Sequence, residues 1–170
     1  MGLVWREQMS VANNLIDSEH KYLIDQINAL ETALNTKENH DIVEETLDHL
    51  VSYTKTHFDH EETIQRKIRY PQLDEHKLEH KQIMRNLYAI KNELDSILGT
   101  DQRDRESDNN DEVTDSELNM ILADEEVEHS VTKQDLEPLI ALIRSWIIDH
   151  VIGSDMKLKA YLIKRPVDFV

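Results

Sequence analysis

The chain has 170 residues, which is enough for one well-packed domain and too few for two ordinary ones. Its formal charge of -16 argues against a nucleic-acid surface, because phosphate binding requires clustered Lys and Arg. The absence of cysteine excludes disulfides, thiolate metal sites and cysteine nucleophiles, so any metal must be bound by nitrogen and oxygen.

Three glycines and three prolines are few for this length, and this scarcity favours long helices joined by short connections. The predicted fold class is therefore all-α. The apolar runs are broken every few residues by charges, and the first ten residues contain no hydrophobic signal region. We expect no membrane segment and a cytoplasmic location.

The first predicted helix runs from Asp17, a residue type that caps helices, to about Lys37. His20 lies in line with its stripe of apolar positions, so it should face inward. The second helix, with Asp41 as its predicted cap, carries His57 and Glu61 near its C-terminal end. Residues four apart on a helix are stacked one turn above the other, so this pair can bind one cation.

Tyr70 and Pro71 break the chain, since proline restricts the residue before it and is tolerated in a helix's first turn. The third helix follows, with His76 and His80 near its start, and should end near Gly99. A short turn makes the second and third helices antiparallel, so the end of one and the start of the other lie at the same level. The ligand pairs of these two helices should converge.

Residues 99–133 change to an acidic composition rich in Asp, Asn and Ser, which indicates an insertion between the third and fourth helices. Its first half has too little apolar surface to offset its ordering entropy, so we expect the insertion to be partly mobile. The fourth helix should begin near Asp135, with Pro138 in its first turn. Gly153 lies between His150 and Asp155, and we expect it to let the carboxylate turn back toward the other ligands.

These groups form the ordered set H, H-x-x-x-E, H-x-x-x-H and H-x-x-x-x-D, within the segments IDSEHKYL, YTKTHFDHEE, YPQLDEHKLEH and SWIIDHVIGSD. The set resembles the bacterial hemerythrins over essentially the whole chain outside 99–133. The resemblance implies a single hemerythrin-like domain over 1–170. It also implies an antiparallel, up-down-up-down four-helix bundle around a non-haem di-iron centre.

Matching by position, the resemblance implies that one iron is bound by His76, His80 and His150 and the other by His20 and His57. The carboxylates implied to bridge the two irons are Glu61 and Asp155. An oxo or hydroxo oxygen from solvent would complete the bridge, and dioxygen would bind at the open position of the two-histidine iron. The residues implied to wall the dioxygen pocket are Thr54, Phe58, Trp146, Ile147 and Val151. Each of these could equally be packing core, and the Thr54 hydroxyl could bond its own helix backbone or meet the ligand.

The function implied is reversible dioxygen binding, and the chain is not expected to be an enzyme. Two uses stay open: an oxygen or redox sensor in a signalling protein, such as a diguanylate cyclase or chemotaxis receptor, and a stand-alone oxygen carrier. We favour sensing because a simple carrier needs neither the insertion nor residues 163–170, which would suit a linker to an output domain. A ferritin-like di-iron oxidase is disfavoured, because the Glu-x-x-His motif occurs only in the acidic insertion, at Glu126 and His129.

Overall fold

The computed structural model describes residues 2–35, 40–97, 141–146 and 148–170, and these residues form helices and connecting turns with no strand among them. The first three helices are α1 (Asn14–Asn35), α2 (His40–Lys67) and α3 (Leu73–Ile97). The fourth, α4, is described over 141–146 and 148–162. Helix α1 packs on α2 and α2 on α3, which confirms the predicted all-α four-helix bundle. The predicted insertion and the start of the fourth helix near Asp135 lie outside the described residues.

The N-terminus of α1 differs from the prediction, because the helix begins before the Asp17 that we expected to cap it. Asn13 caps the helix instead, and its Oδ1 accepts a hydrogen bond from the Ile16 N–H at 3.1 Å. Asp17 lies in the first turn and accepts a hydrogen bond from the Ser10 hydroxyl at 2.6 Å, which holds the N-terminal arm against the helix. Both residue types cap helices well, so local sequence alone did not decide between them.

The two ends of α2 lie beside Asp41 and Arg69. Asp41 lies within the first turn of the helix rather than before it, so its predicted capping position was wrong. At the other end Arg69 adopts a left-handed conformation with φ 53°, and the Tyr70 N–H donates to the Gln65 carbonyl at 2.9 Å. This pattern is a common helix C-terminus, and Pro71 lies in the turn that follows, before α3 begins at Leu73. The tight reversal sets the end of α2 beside the start of α3, as predicted.

Two apolar clusters fill the bundle, one toward each end of the helices. The larger includes Leu23, Ile27, Leu47, Leu50, Leu87 and Ile90. The smaller includes Val11, Ile16, Ile64, Ile68, Leu158 and Leu162. Each helix passes from one cluster to the other, and the predicted metal ligands lie on the stretches where the two clusters meet. The bundle therefore contains a buried polar layer, which we call the ligand layer, between two layers of hydrocarbon.

Residues 163–170, the predicted linker segment, fold back onto the start of α1. The Asn14 N–H donates to the Val167 carbonyl at 2.7 Å, and the Asn13 amide donates to the Phe169 carbonyl at 2.7 Å. Phe169 also packs against the smaller apolar cluster. This segment is therefore tied to the helix that carries His20.

None of the helices in the described part of the chain is both long enough and apolar enough to span a bilayer.

Candidate metal centre

The structure brings all seven predicted ligands together in the ligand layer, where each is buried. They form two groups: Glu61, His76, His80, His150 and Asp155 in one, and His20, His57 and Asp155 in the other. Within each group, one ligating atom from every residue lies within 4.8 Å of the others. Asp155 is the member that the two groups share.

The larger group is assembled by the tight turn between α2 and α3. Glu61 Oε2 lies 3.3 Å from His76 Nε2 and 3.2 Å from His80 Nε2. His76 and His80 are four apart on α3, so the stacking of successive helical turns aims both rings at the same carboxylate. The spacing in the sequence therefore accounts directly for this half of the site.

A stretch of π-helix brings Asp155 into the layer. Residues Asp149–Ser154 are π-helical, and the Asp155 N–H donates to the His150 carbonyl five residues earlier. In an α-helix, residues five apart point about 140° away from each other. The wider π turn closes this angle, and His150 Nε2 then lies 3.2 Å from Asp155 Oδ1.

We had attributed this turn to Gly153, but the structure does not require a glycine there. A Cβ at that position would meet no atom within 4 Å, and the backbone has no positive φ.

Asp155 contacts the two groups through different oxygens. Its Oδ1 lies 3.3 Å from His76 Nε2, whereas its Oδ2 lies 3.2 Å from His20 Nε2. A carboxylate with one oxygen toward each group has the arrangement needed to bridge two cations. Glu61 directs Oε2 at the larger group, and its buried Oε1 has no hydrogen-bond partner among the described residues.

Many polar atoms of the ligand layer are buried and have no hydrogen-bond partner in the part of the chain that the structure describes. They include Nε2 of His20, His57, His80 and His150, Oε1 of Glu61 and both carboxylate oxygens of Asp155. Such an atom costs about 1–3 kcal/mol when nothing satisfies it, so their concentration in one layer indicates a bound group that does. First-row metal bonds of about 2.0–2.2 Å set neighbouring donors about 3 Å apart, close to the separations seen here. A set of imidazoles and carboxylates fits iron well.

The charges in the layer shift the pKa values of Glu61 and His76 strongly. Burial and the Asp155 charge both raise the pKa of Glu61, but the close contacts of its carboxylate with the His76 and His80 imidazoles outweigh them and lower it to about 2. Burial lowers the pKa of His76, yet the close contacts of its ring with the Asp155 and Glu61 carboxylates raise it to about 10. The metal-free layer therefore retains protons on imidazole that a cation would displace, which couples metal binding to proton release.

Among the predicted pocket residues, Phe58 contacts a ligand of the layer directly, and Ile147 is outside the described residues. The Phe58 ring stacks on the His80 ring, with centroids 3.7 Å apart and planes 8° apart. Val151 is buried in the larger apolar cluster, and Trp146 packs against that cluster. The Thr54 hydroxyl donates to the Leu50 carbonyl at 2.7 Å, which is the first of the two alternatives considered for it.

Three glutamates that sequence reasoning missed, Glu19, Glu62 and Glu79, lie behind the histidine rings. Each is the immediate sequence neighbour of a predicted ligand. A helix turns by about 100° per residue, so the neighbour of an inward-facing ligand can point toward the adjoining helix. That adjacency is the signal that could have identified them.

Comparison with known proteins agrees with this geometry. The family model for the hemerythrin HHE cation binding domain matches residues 11–162. Bacteriohemerythrins from Pseudomonas paraeruginosa and Pseudomonas aeruginosa are each 34% identical over 85 residues, covering 50% of this chain and 55% of the relative. That of Stenotrophomonas maltophilia is 33% identical over 78 residues, covering 46% of this chain and 50% of its own. The chain thus spans about half the length of the curated relatives that it matches.

Proposed function

Because the chain belongs to the hemerythrin HHE cation-binding family, we propose that it is a non-haem di-iron protein that binds dioxygen reversibly. The observation that carries the proposal is the pair of buried ligand groups sharing Asp155. A single mononuclear site would need only one such group. Two groups joined by one carboxylate favour two irons held close together.

In this proposal one iron would be held by His76, His80 and His150, and the other by His20 and His57. Asp155, which both groups share, and Glu61 would be the carboxylates that hold the two irons together. Two irons held there would supply the electrons and the binding position that dioxygen needs, and His20 and His57 would hold the iron that binds it. The protein holds this pair inside two layers of hydrocarbon, where a change in net charge would be costly.

The proposed pocket wall keeps water and protons away from the bound ligand. Phe58 and Val151 present only hydrocarbon to the layer, and the Thr54 hydroxyl is already engaged with a backbone carbonyl. A wall of this kind favours holding dioxygen over transferring protons to it. We therefore propose that the chain binds dioxygen without catalytic turnover.

The test is anaerobic loading of the purified chain with ferrous iron, followed by repeated cycles of air and deoxygenation. We expect two irons per chain and a visible absorption that appears in air and disappears on deoxygenation. His80→Ala should lose iron, whereas His49→Ala, a matched control at a histidine that bonds the Tyr22 hydroxyl, should load normally. Fewer than two irons in the wild type would contradict the proposal. Irreversible oxidation with substrate turnover would also contradict it, in favour of an oxidase.

We further propose that this dioxygen binding serves oxygen or redox sensing in the cytoplasm, as the sensory domain of a signalling protein. The support is the contact between 163–170 and α1, which lies within two turns of His20. A shift of α1 would reach this segment, and through it a fused or associated output domain such as a diguanylate cyclase or chemotaxis receptor. In this proposal 1–170 is one sensory domain, 99–133 its acidic insertion and 163–170 the linker.

Limited proteolysis distinguishes sensing from the alternative, a stand-alone oxygen carrier. A sensor should show different cleavage rates within 163–170 in the reduced, oxidised and oxygenated states. Identical digestion in all three states would favour the carrier.

A further inference from the structure

Glu19 on α1 joins two histidines of α2 from a buried position. The His57 Nδ1–H donates to Glu19 Oε2 at 3.0 Å, and the His60 Nδ1–H donates to Glu19 Oε1 at 2.6 Å. An ionised carboxylate can only accept hydrogen bonds, so this contact fixes the proton of His57 on Nδ1. The lone pair of His57 Nε2 is then directed into the ligand layer, where that atom has no hydrogen-bond partner among the described residues.

The same arrangement recurs on the next two helices. Glu62 on α2 accepts a hydrogen bond from His80 Nδ1 on α3 at 3.0 Å. Glu79 Oε2 on α3 lies 3.3 Å from His150 Nδ1 on α4. Each helix thus uses a glutamate beside one of its own ligands to contact the back of a histidine on the following helix. We call Glu19, Glu62 and Glu79 the outer carboxylates.

The three outer carboxylates differ in their exposure to solvent. The exposed fraction of the side chain is 7% for Glu19, 18% for Glu62 and 45% for Glu79. Water screens an exposed charge far more than a buried one, so the influence of each on the layer should fall in that order. Glu62 is also partly neutralised by Lys77, whose Nζ lies 3.5 Å away. Glu19 is therefore the outer carboxylate with the strongest influence.

We propose that Glu19 is a positioning residue for the iron at His57 and sets the redox potential of the two-histidine side. Glu62 and Glu79 position the histidines and set the potential on the three-histidine side, with a weaker effect. The inference rests on the proposed di-iron function. Glu19 holds the imidazole in the ligating tautomer and orientation, as carboxylates behind metal-bound histidines do. Its negative charge also stabilises the more highly charged oxidised iron, and His60 holds the carboxylate in place from the solvent side.

The test compares Glu19→Gln, Glu19→Ala and Glu79→Gln for iron content, rate of iron loss to a chelator and midpoint potential. Glu19→Gln keeps an acceptor for His57 and removes the charge, so it should retain two irons with a higher midpoint potential. Glu19→Ala removes both the hydrogen-bond acceptor and the charge, so one of the two irons should be lost to the chelator about 10–100-fold faster than from the wild type. Glu79→Gln should shift the potential less than Glu19→Gln.

Asp59→Asn is the matched control, because it removes one charge from an exposed position on α2, where Asp59 pairs with Lys55. It should leave the potential and the rate of iron loss unchanged. A wild-type protein without two irons would refute the proposed function itself. Normal wild-type behaviour, with the potential and iron loss of both Glu19 variants also unchanged, would overturn only the role of Glu19. A change in midpoint potential in Asp59→Asn as large as that in Glu19→Gln would also overturn the role of Glu19.

Discussion

Leu47 and Glu61 lie on the same face of α2, about four turns apart, and both are fully buried. Leu47 is surrounded by hydrocarbon from the neighbouring helices, whereas Glu61 is surrounded by imidazoles and a second carboxylate. Burial stabilises the leucine under nearly all conditions. Burial of the glutamate is favourable only while its neighbours supply opposite charge, whether from protons or from a cation.

The difference shows how one bundle can be stable and still hold a reactive site. The two apolar clusters fix the positions of the four helices on either side of the ligand layer. The layer itself keeps buried polar atoms without hydrogen-bond partners in the described part of the chain, and that cost is the driving force for binding metal. The clusters should therefore set the stability of the metal-free protein, and the layer should set how much metal adds to it.

The largest expected effect comes from a substitution in the larger apolar cluster. Leu47→Ala should lower the free energy of unfolding by about 2–5 kcal/mol, because it leaves a cavity in the larger cluster. The loss should be equal in the metal-free and iron-loaded proteins, and the variant should still bind two irons. Urea unfolding of both forms measures it. A loss confined to the iron-loaded form would mean that the cluster and the layer are not independent.

Substituting a ligand should instead change the stabilisation that iron adds to the protein. Iron at one hundred times its dissociation constant should raise the free energy of unfolding of the wild type by about 3 kcal/mol. His80→Ala should abolish this increment, because His80 belongs to the larger ligand group. The same urea experiment with and without iron measures it, with His49→Ala as the control. An undiminished increment in His80→Ala would show that iron binds elsewhere.

The pH dependence of the metal-free protein sharpens the comparison with a smaller effect. The pKa of Glu61 is lowered to about 2, so its contribution is present above its unfolded value of 4.5 and is lost as pH falls toward 2. The pKa of His76 is raised to about 10, so its contribution is present below 6.5 and is lost as pH rises toward 10. We expect maximum stability between pH 4.5 and 6.5. Unfolding midpoints that stay flat from pH 3 to 9 would contradict these contacts.

The smallest expected effect is at Thr54, at the boundary between the two environments. Its hydroxyl bonds its own helix backbone, so Thr54→Val should change the free energy of unfolding by about 1 kcal/mol or less. Iron content and the rate of dioxygen release should stay the same. A large change in dioxygen release, followed by stopped-flow absorbance, would mean that the hydroxyl meets the bound ligand instead.

The parts of the site that residue spacing alone could predict are those fixed by local helical geometry, whereas Asp155 was predicted as a ligand only through the family resemblance. His57 with Glu61, and His76 with His80, are four apart, and a regular α-helix makes that spacing a shared face. The approach of Asp155 to His150 depends on a π turn, which no α-helical spacing predicts.

The remaining differences also have physical causes. The cap of α1 was misassigned to Asp17 because Asn13 is an equally good capping type, and tertiary contacts with Ser10 and the Phe169 carbonyl separate their roles. The outer carboxylates were missed because their partners lie on other helices. Their position beside a ligand marks them as candidates, but the pattern of one helix does not specify which histidine of a neighbouring helix each glutamate will contact.

X-ray absorption at the iron edge tests the central claim, a coupled pair of irons in the ligand layer, most directly. For the iron-loaded wild type we predict nitrogen and oxygen ligands only, together with scattering from a second iron at the separation of a carboxylate-bridged pair. Asp155→Asn should weaken the iron–iron signal, because Asp155 is the residue that both ligand groups share. An isolated iron with no iron neighbour in the fully loaded wild type would contradict the account.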